Sequence, residues 1–301
     1  MDRFTELQTF VAVADTGGFN AAARSLSRSP PSITRIIGGL EARIGTRLFT
    51  RTTRQIALTE AGGRLLVDAR RILDELASAE ASAAGAHEEP QGVLAVTAPV
   101  TFGRIYIAPL LRSFLDKHPK VTARALYVDR VVNLIDEGLD VAVRIGELPD
   151  STLTAVRVGQ VRQVVVATPA FFKTHGVPET PQALGGYRIA TPSGLNPRRE
   201  WTFSVGGEQV TVPIEAVLRE NTVDSAIDAA LSGWALTRAL SYQVADALKS
   251  GELIEVLSEF EDRTMPVHLV HAEGSLRAAK IRSFLDHAMQ DLRSLSVHWV
   301  G

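Results

Sequence analysis

Two adjacent prolines, Pro30 and Pro31, restrict the local fold more than any other pair in the chain. Neither offers a backbone N–H, so the pair is comfortable in an extended run or in the first turn of a helix. The residues that follow decide between these. Ile33, Ile36, Ile37, Leu40 and Ile44 recur at helical spacing, and Ser29 stands ahead of them as an N-cap. The spacing predicts a helix opening at Pro30, with Pro31, Thr34, Arg35 and Gly38 on its polar face. Upstream, Phe4, Leu7, Phe10, Val11, Val13 and Ala14 predict a helix stopped by Gly17-Gly18. Phe19–Leu26 predicts another, with Ala21–Ala23 small enough for close packing and Ser27-Arg28 turning into the third.

Charge gives this corner a purpose. From Phe19 to Arg54 there are seven arginines (24, 28, 35, 43, 47, 51, 54) against one acid, Glu41, in a chain of formal net charge -2. A local reversal of that kind is the footprint of a surface facing a polyanion. A helix entering a major groove needs short polar side chains near its N-terminus, whose N–H groups also suit phosphate. Thr34 can meet a base edge or a thymine methyl, Arg35 a guanine or a phosphate, and Gly38 keeps the face thin. Leu48 to Leu58 alternates as a hairpin anchored by Leu48, Phe49, Ile56 and Leu58, with Arg51 and Arg54 projecting from its tip. Such a tip suits backbone or minor-groove contact. The competing reading is a buried helical corner with a solvated basic face. The coincidence of corner, charge and hairpin favours DNA.

Thr59-Glu60 opens a long helix reaching about Ala84. Leu65, Leu66, Ala69, Ile72, Leu73, Leu76, Ala79 and Ala83 form a stripe of period near 3.5, read as a dimer seam or as packing on its own chain. Gly85–Gly92 reads as a hinge. Beyond it the pattern becomes strand and helix in alternation: Val93–Thr97, helix Ile105–Leu115, Val121–Val128, helix Val131–Glu137, Val141–Ile145, then Val164–Thr168, helix Pro169–His175, and so on to a last helix, Leu276–Leu292. This predicts a parallel sheet flanked by helices, in two units with a ligand cleft between them.

A chain of 301 residues implies two or three domains. With no cysteine, disulfides, thiolate metal sites and a cysteine nucleophile are excluded. Asp2, Glu6 and Asp15 interrupt the first twenty residues, which match neither a secretory signal nor a transit peptide. No apolar run approaches the roughly 18 residues of a membrane span. A cytoplasmic location with no membrane partner is expected. The histidines lack metal spacing, no G-x-S-x-G elbow supports a nucleophile, and Gly38-Gly39 and Gly206-Gly207 carry neither phosphate-loop nor dinucleotide pattern. No enzyme, metal or cofactor is expected. A small-molecule binding protein whose N-terminal helices serve only assembly is the second reading.

LQTFVAVADTGGFNAAARSL…SPPSITRIIGGLEARIGTRLFTRTTRQIALTEAG resembles the DNA-binding domain of LysR-type transcriptional regulators. GVLAVTAPVTFGRIYIAPLL, FLDKHP, DRVVNLIDEGLDVAVRIGEL and VVVATPAFFKTHGVPETPQAL resemble the family's effector domain, most closely that of its CrgA-like branch. The resemblance implies a winged helix-turn-helix over 1–58, a dimerising linker helix and hinge over 59–91, and an α/β, two-lobed, periplasmic-binding-protein-like (type 2) domain over 92–301. Lobe one would be about 92–161 with 266–301, and lobe two about 162–265. It further implies double-stranded promoter DNA as partner, a homodimer through the linker that assembles to a homotetramer, and a small-molecule co-inducer, and it admits RNA polymerase. DNA contacts map onto Pro30, Pro31, Ser32, Thr34 and Arg35 of the helix and Arg51, Thr53 and Arg54 of the wing. Many members carry Gln where this chain has Pro30, so a base-reading donor is missing here.

Effector contacts carried over from the family fall on Pro99, Thr101 and Phe102, on Val128, on Arg144 and Gly146, and on Thr191, Asn221 and Thr222. Thr101 would open the helix 104–116, where the dipole favours an anion. Arg144, ending a strand, would hold a carboxylate. Plain N-capping by Thr101, and pairing of Arg144 with Asp129 or Asp140, are the alternatives. A small organic acid is the expected effector.

Overall fold

The computed structural model describes residues 2–51, 56–83, 89–192, 199–261, 263–296 and 299. For Arg51, Asp74, Glu75, Ser78, Ala79, residues 81–83 and Arg277 it describes the backbone alone.

Three helices form the N-terminal unit: α1 (Arg3–Thr16), α2 (Phe19–Ser25) and α3 (Pro30–Ile44). Asp2 caps α1 by accepting from the N–H groups of Phe4 and Thr5, and Gly17 ends it in the left-handed conformation. Ile33, Ile36, Ile37 and Leu40 of α3 are fully buried, each such side chain contributing about 1.5–3 kcal/mol. Ile44, expected on the same face, is 42% exposed. Ser29 occupies the N-cap position, yet its side chain makes no capping hydrogen bond. The prolines contribute to this: Pro31 at the second helical position has no N–H for the cap to serve, and the N–H groups of Ser32 and Ile33 bond the Ser29 carbonyl. The wing is the antiparallel pair β1 (Phe49–Arg51) and β2 (Ile56–Leu58).

Helix α4 (Glu60–Ala83) begins by packing on this unit. Leu65, Leu66 and Ala69 join the core of Phe10, Val13, Leu40 and Phe49, and Arg70 pairs with Asp15 of α1. The stripe therefore divides. Its first turns pack on their own chain, while Ile72, Leu73 and Leu76 stay partly or largely exposed.

The C-terminal part is built on one mixed sheet of β3 (Gly92–Ala98), β4 (Val121–Tyr127), β5 (Val141–Ile145), β6 (Leu153–Ala167), β11 (Thr237–Leu240), β12 (Ile254–Val256) and β13 (Thr264–Ala272). The strands are ordered β11-β6-β13-β5-β3-β4, with β12 also pairing β6. Strands β4, β3 and β5 run parallel, but β13 is antiparallel to both β5 and β6. The purely parallel sheet expected from the alternation is thus corrected. The 15-residue β6 pairs β13 through its first part and β11 and β12 through its second, so one strand joins two packing units.

The helical segment after β3 starts earlier than expected: α5 (Val100–Phe102) runs through a π turn (Gly103–Ile107) into α6 (Ala108–Lys117). The second unit carries α7 (Pro169–His175), the parallel pair β7 (Ala190–Pro192) and β10 (Leu218–Glu220), the hairpin β8 (Glu200–Val205) and β9 (Glu208–Pro213), α8 (Val223–Leu231) and α9 (Ala245–Ser250). Helix α10 (Ala279–Leu295) returns to the first, where Ile281, Phe284 and Leu285 meet Phe114 and Leu94 in one core. Val131–Glu137 is not the helix its spacing suggested. It is a run of turns in which the Asn133 side chain accepts from the N–H groups of Ile135 and Asp136, burying Val132 and Leu134 and leaving Val131 and Ile135 exposed. Among the described residues no helix is long and apolar enough to cross a membrane.

Candidate DNA interface and ligand cleft

Helix α3 shows Pro30, Pro31, Thr34, Arg35 and Gly38 to solvent, with Ser32 half-buried. Thr34 donates its hydroxyl to the Pro30 carbonyl at 3.1 Å. Its proton is therefore spent on the helix, and the methyl and an oxygen lone pair remain for a base. Arg24, Arg28, Arg35 and Arg47 are exposed, without an ion-pair partner among the described residues.

Two charges counted in the sequence do other work. Arg43 of α3 pairs at 2.6 Å with Glu6 of α1, whose side chain is buried. Glu41 accepts from the N–H groups of Leu48 and Phe49, at 2.8 and 3.2 Å, and so ties the root of the wing to α3. The acid inside the basic stretch thus faces the wing backbone, and one arginine is committed to structure. Residue spacing does not announce the first of these contacts, because Glu6 lies 37 residues from Arg43. Thr53, Arg54 and the Arg51 side chain lie outside the described residues; Arg51 is the last residue of β1.

In the C-terminal part, a cavity of about 130 Å³ opens at the carboxyl ends of β3, β4 and β5, the edge of a parallel array where ligands bind. Pro99, Val128 and Arg144 line it together with Asp129, Arg130, Val131 and Ile145. Arg144 donates to the Val132 carbonyl. It pairs with neither acid considered for it: Asp140 accepts from the Ala95 N–H at 2.8 Å and lies 3.6 Å from Lys280, and Asp129 accepts from the Val100 N–H at 2.9 Å. Burial alone lowers the Arg144 guanidinium from its usual value. Arg130 is spent on Glu137 through two hydrogen bonds, 2.7 and 3.2 Å.

Thr101 lies inside the helical segment, 1% exposed, and donates to Asp224 of α8 at 3.0 Å. With Asp129 already on the Val100 N–H, this helix start is served by carboxylates of the chain itself, and the expected anion site at Thr101 is occupied from within. Phe102 is fully buried against Tyr106, Tyr242 and Trp299 rather than facing the cavity. The Tyr242 hydroxyl is pushed up, first by burial; the Gln243 hydrogen bond opposes, and Asp129, Tyr106 and Asp224 add to the rise. Asp129 and Asp224 therefore both act on one phenol. Gly146 follows β5 at φ 108 and donates to the Pro266 carbonyl, away from the cavity wall. Across the cleft, Thr191 lies in β7, and Asn221 and Thr222 follow β10, where Thr222 caps α8 by accepting from the Ser225 N–H. None of these three lines the cavity. The residue that reasoning from sequence missed is Asp224, whose partner Thr101 lies 123 residues away; Asp129 was expected near the cleft or on Arg144 and is found on the Val100 N–H. Among the described residues no group of three or more metal-binding side chains exists.

Residues 4–63 match the family model for the bacterial regulatory helix-turn-helix protein, lysR family, and residues 87–293 match the LysR substrate binding domain. The HTH-type transcriptional regulator CrgA of Neisseria meningitidis is 32% identical over 292 residues, 95% of this chain and 96% of that protein. The HTH-type transcriptional regulator PgrR of Escherichia coli is 30% identical over 289 residues, 95% and 96% of the two chains. The solved structure of CrgA superimposes with a TM-score of 0.62 at 30% identity, covering 96% of this chain and 98% of that one. That of the Vibrio cholerae virulence activator AphB gives 0.61 at 23% identity, covering 96% and 99%, and bears on the fold alone.

Proposed function

The chain belongs to the LysR family of bacterial transcriptional regulators, and on that premise we propose a regulator whose grip on promoter DNA answers to a small organic acid bound between two lobes. Its class is that of a DNA-binding regulator with an effector-binding domain, not an enzyme. The finer reading divides it into a DNA-binding unit over 1–58, linker and hinge over 59–91, and an effector domain over 92–301, with lobe one near 92–161 and 266–301 and lobe two near 162–265.

One observation carries the effector reading. Arg144 is half-buried, lines a cavity at the strand ends, and has no carboxylate partner among the described residues. A desolvated cation without a counter-ion is costly, and an acidic ligand removes that cost. On the DNA side the support is the set Arg24, Arg28, Arg35 and Arg47, exposed and without an ion-pair partner among the described residues. Pro30, Pro31, Ser32, Thr34 and Arg35 then contact the groove, with Arg51, Thr53 and Arg54 on the wing. Ile72, Leu73 and Leu76 form the seam of a dimer, and two dimers make the tetramer. The protein works in the cytoplasm, with RNA polymerase as a further partner.

The test is a footprint on the region upstream of its own gene, with and without a panel of carboxylic acids. Protection in two half-sites, altered in extent by an acid, is expected. Protection that only neutral compounds alter would remove the acid from the reading.

A further inference from the structure

The charges around the cavity ask for more than an acid. Asp129 lines the same cavity as Arg144, exposed, with one oxygen on the Val100 N–H and no cation paired with it among the described residues. The third charged residue of the wall, Arg130, is neutralised by Glu137. The cavity thus holds one unpaired positive and one unpaired negative side chain. Its remaining wall is apolar, with four valines among its residues, except for Thr97, whose hydroxyl is spent on the Leu126 carbonyl at 2.7 Å. Val131, 81% exposed, leaves apolar surface open at the mouth. About 130 Å³ is also well below the roughly 300–1,000 Å³ of pockets for drug-sized ligands.

Each simpler ligand fits part of this wall. A monocarboxylate satisfies Arg144 but lays hydrocarbon against the Asp129 carboxylate and strips its water. A dicarboxylate sets like charge against Asp129. An amine leaves Arg144 without a counter-ion. A dipolar ion answers both charges at once and fills the apolar wall with its side chain.

We infer that the effector is a small aliphatic amino acid, its carboxylate on Arg144 and its ammonium toward Asp129, an inference that rests on the reading of this cavity as the effector site. Asp129 is then the residue that separates amino acids from other acids. Because Asp129 also holds the Val100 N–H, and Thr101 in the same turn bonds Asp224, the ammonium sits beside the contact that joins the two units.

The experiment is calorimetry on the full chain with alanine, valine, leucine and isoleucine, each beside its deaminated acid and its decarboxylated amine. One of the amino acids should bind at least tenfold more tightly than both of its counterparts. Asp129→Asn keeps an acceptor for the Val100 N–H and should erase that margin while acid binding persists. Arg144→Gln should abolish binding of amino acid and acid alike, and Arg144→Lys should keep part of it, with thermal midpoints checking that each variant folds. Acids binding as tightly as amino acids, or a margin untouched by Asp129→Asn, would overturn the inference and leave the acid reading standing. Amines binding alone, indifferent to Arg144→Gln, would overturn both. No heat from any member overturns the amino acid assignment, and the wider carboxylate panel then judges the acid reading separately.

Discussion

The Thr101 hydroxyl donates to the Asp224 carboxylate at 3.0 Å, joining the helix after β3 to the start of α8. This is a contact between the two packing units that share β6. A hydrogen bond to a charged acceptor contributes about 1.5–3 kcal/mol, so its loss shifts an open–closed balance roughly 10- to 150-fold. Thr101→Val preserves the shape of a 1%-exposed side chain and removes only the donor. Faster amide exchange at the start of α8 is the expected outcome, together with a larger radius of gyration in scattering. Exchange equal to the parent would show that the bond does not hold the units together.

Thr34 offers DNA its methyl, because its proton goes to the Pro30 carbonyl. Thr34→Val should therefore keep most of the sequence preference, whereas Thr34→Ser should weaken it at one base pair by roughly the 0.8 kcal/mol of a buried methyl. Replacing thymine by uracil at that position should weaken the parent protein and leave the serine variant unaffected, as read in a binding titration.

Arg43 and Arg47 look equivalent in sequence and differ in structure. Arg47→Ala should lower the slope of log affinity against log salt by about 1. Arg43→Ala should leave that slope alone and lower stability by about 1–3 kcal/mol, since it strands the buried Glu6 carboxylate. Paired salt titrations and denaturant melts separate the two effects.

Gly159 is a packing requirement. A Cβ there would stand 2.6 Å from Trp299 Cζ3 and 2.6 Å from Ser296 Cβ. Trp299 is fully buried and accepts at its carbonyl from Ser241. Gly159→Ala should lower the melting temperature markedly by displacing that indole, and Trp299→Ala should cost about 3–5 kcal/mol. The double variant should fall short of the sum, because the clash with the ring vanishes and only that with Ser296 Cβ remains.

Burial pulls His268 and His287 below their usual 6.5, with Arg157 adding to the fall for His268. The unfolded chain then binds more protons than the folded one just below pH 6.5, so stability falls as pH drops from 6.5 toward the depressed values. Below those values the loss stops growing. Glu261 acts with the opposite sign in the window that opens above 4.5: burial raises its carboxyl, against the pull of Arg238. His287→Gln, which can still donate toward Ser113, should flatten the decline in melting temperature between pH 7.5 and 5.5. An unchanged decline would mean that other groups cause it.

The reading helix, its wing and the long helix after them were legible because their signals are local. A proline pair that only a first turn tolerates, an apolar face at spacing three and four, and alternation around a polar tip all operate within a dozen residues. Val131–Glu137 shows where locality fails. Its apolar residues fit a helix, but Asn133 captures two N–H groups and turns the chain, burying Val132 and Leu134 at spacing two. The parallel sheet failed for a related reason: alternation counts strands without saying in which direction a distant one returns, and β13 returns antiparallel.

By itself the sequence determined that a basic helical corner begins at Pro30 and that a cysteine-free α/β domain follows a long helix. These are consequences of missing N–H groups, side-chain periodicity and residue chemistry. Only the tertiary structure decided which charges are free. It spent Arg43 on Glu6, Glu41 on the wing, Arg130 on Glu137 and Asp140 on Ala95 and Lys280, and left Arg144 and Asp129 open to a cavity. A charge is neutralised by whatever lies within a few ångströms, and most of those neighbours are set by packing between elements far apart in the chain.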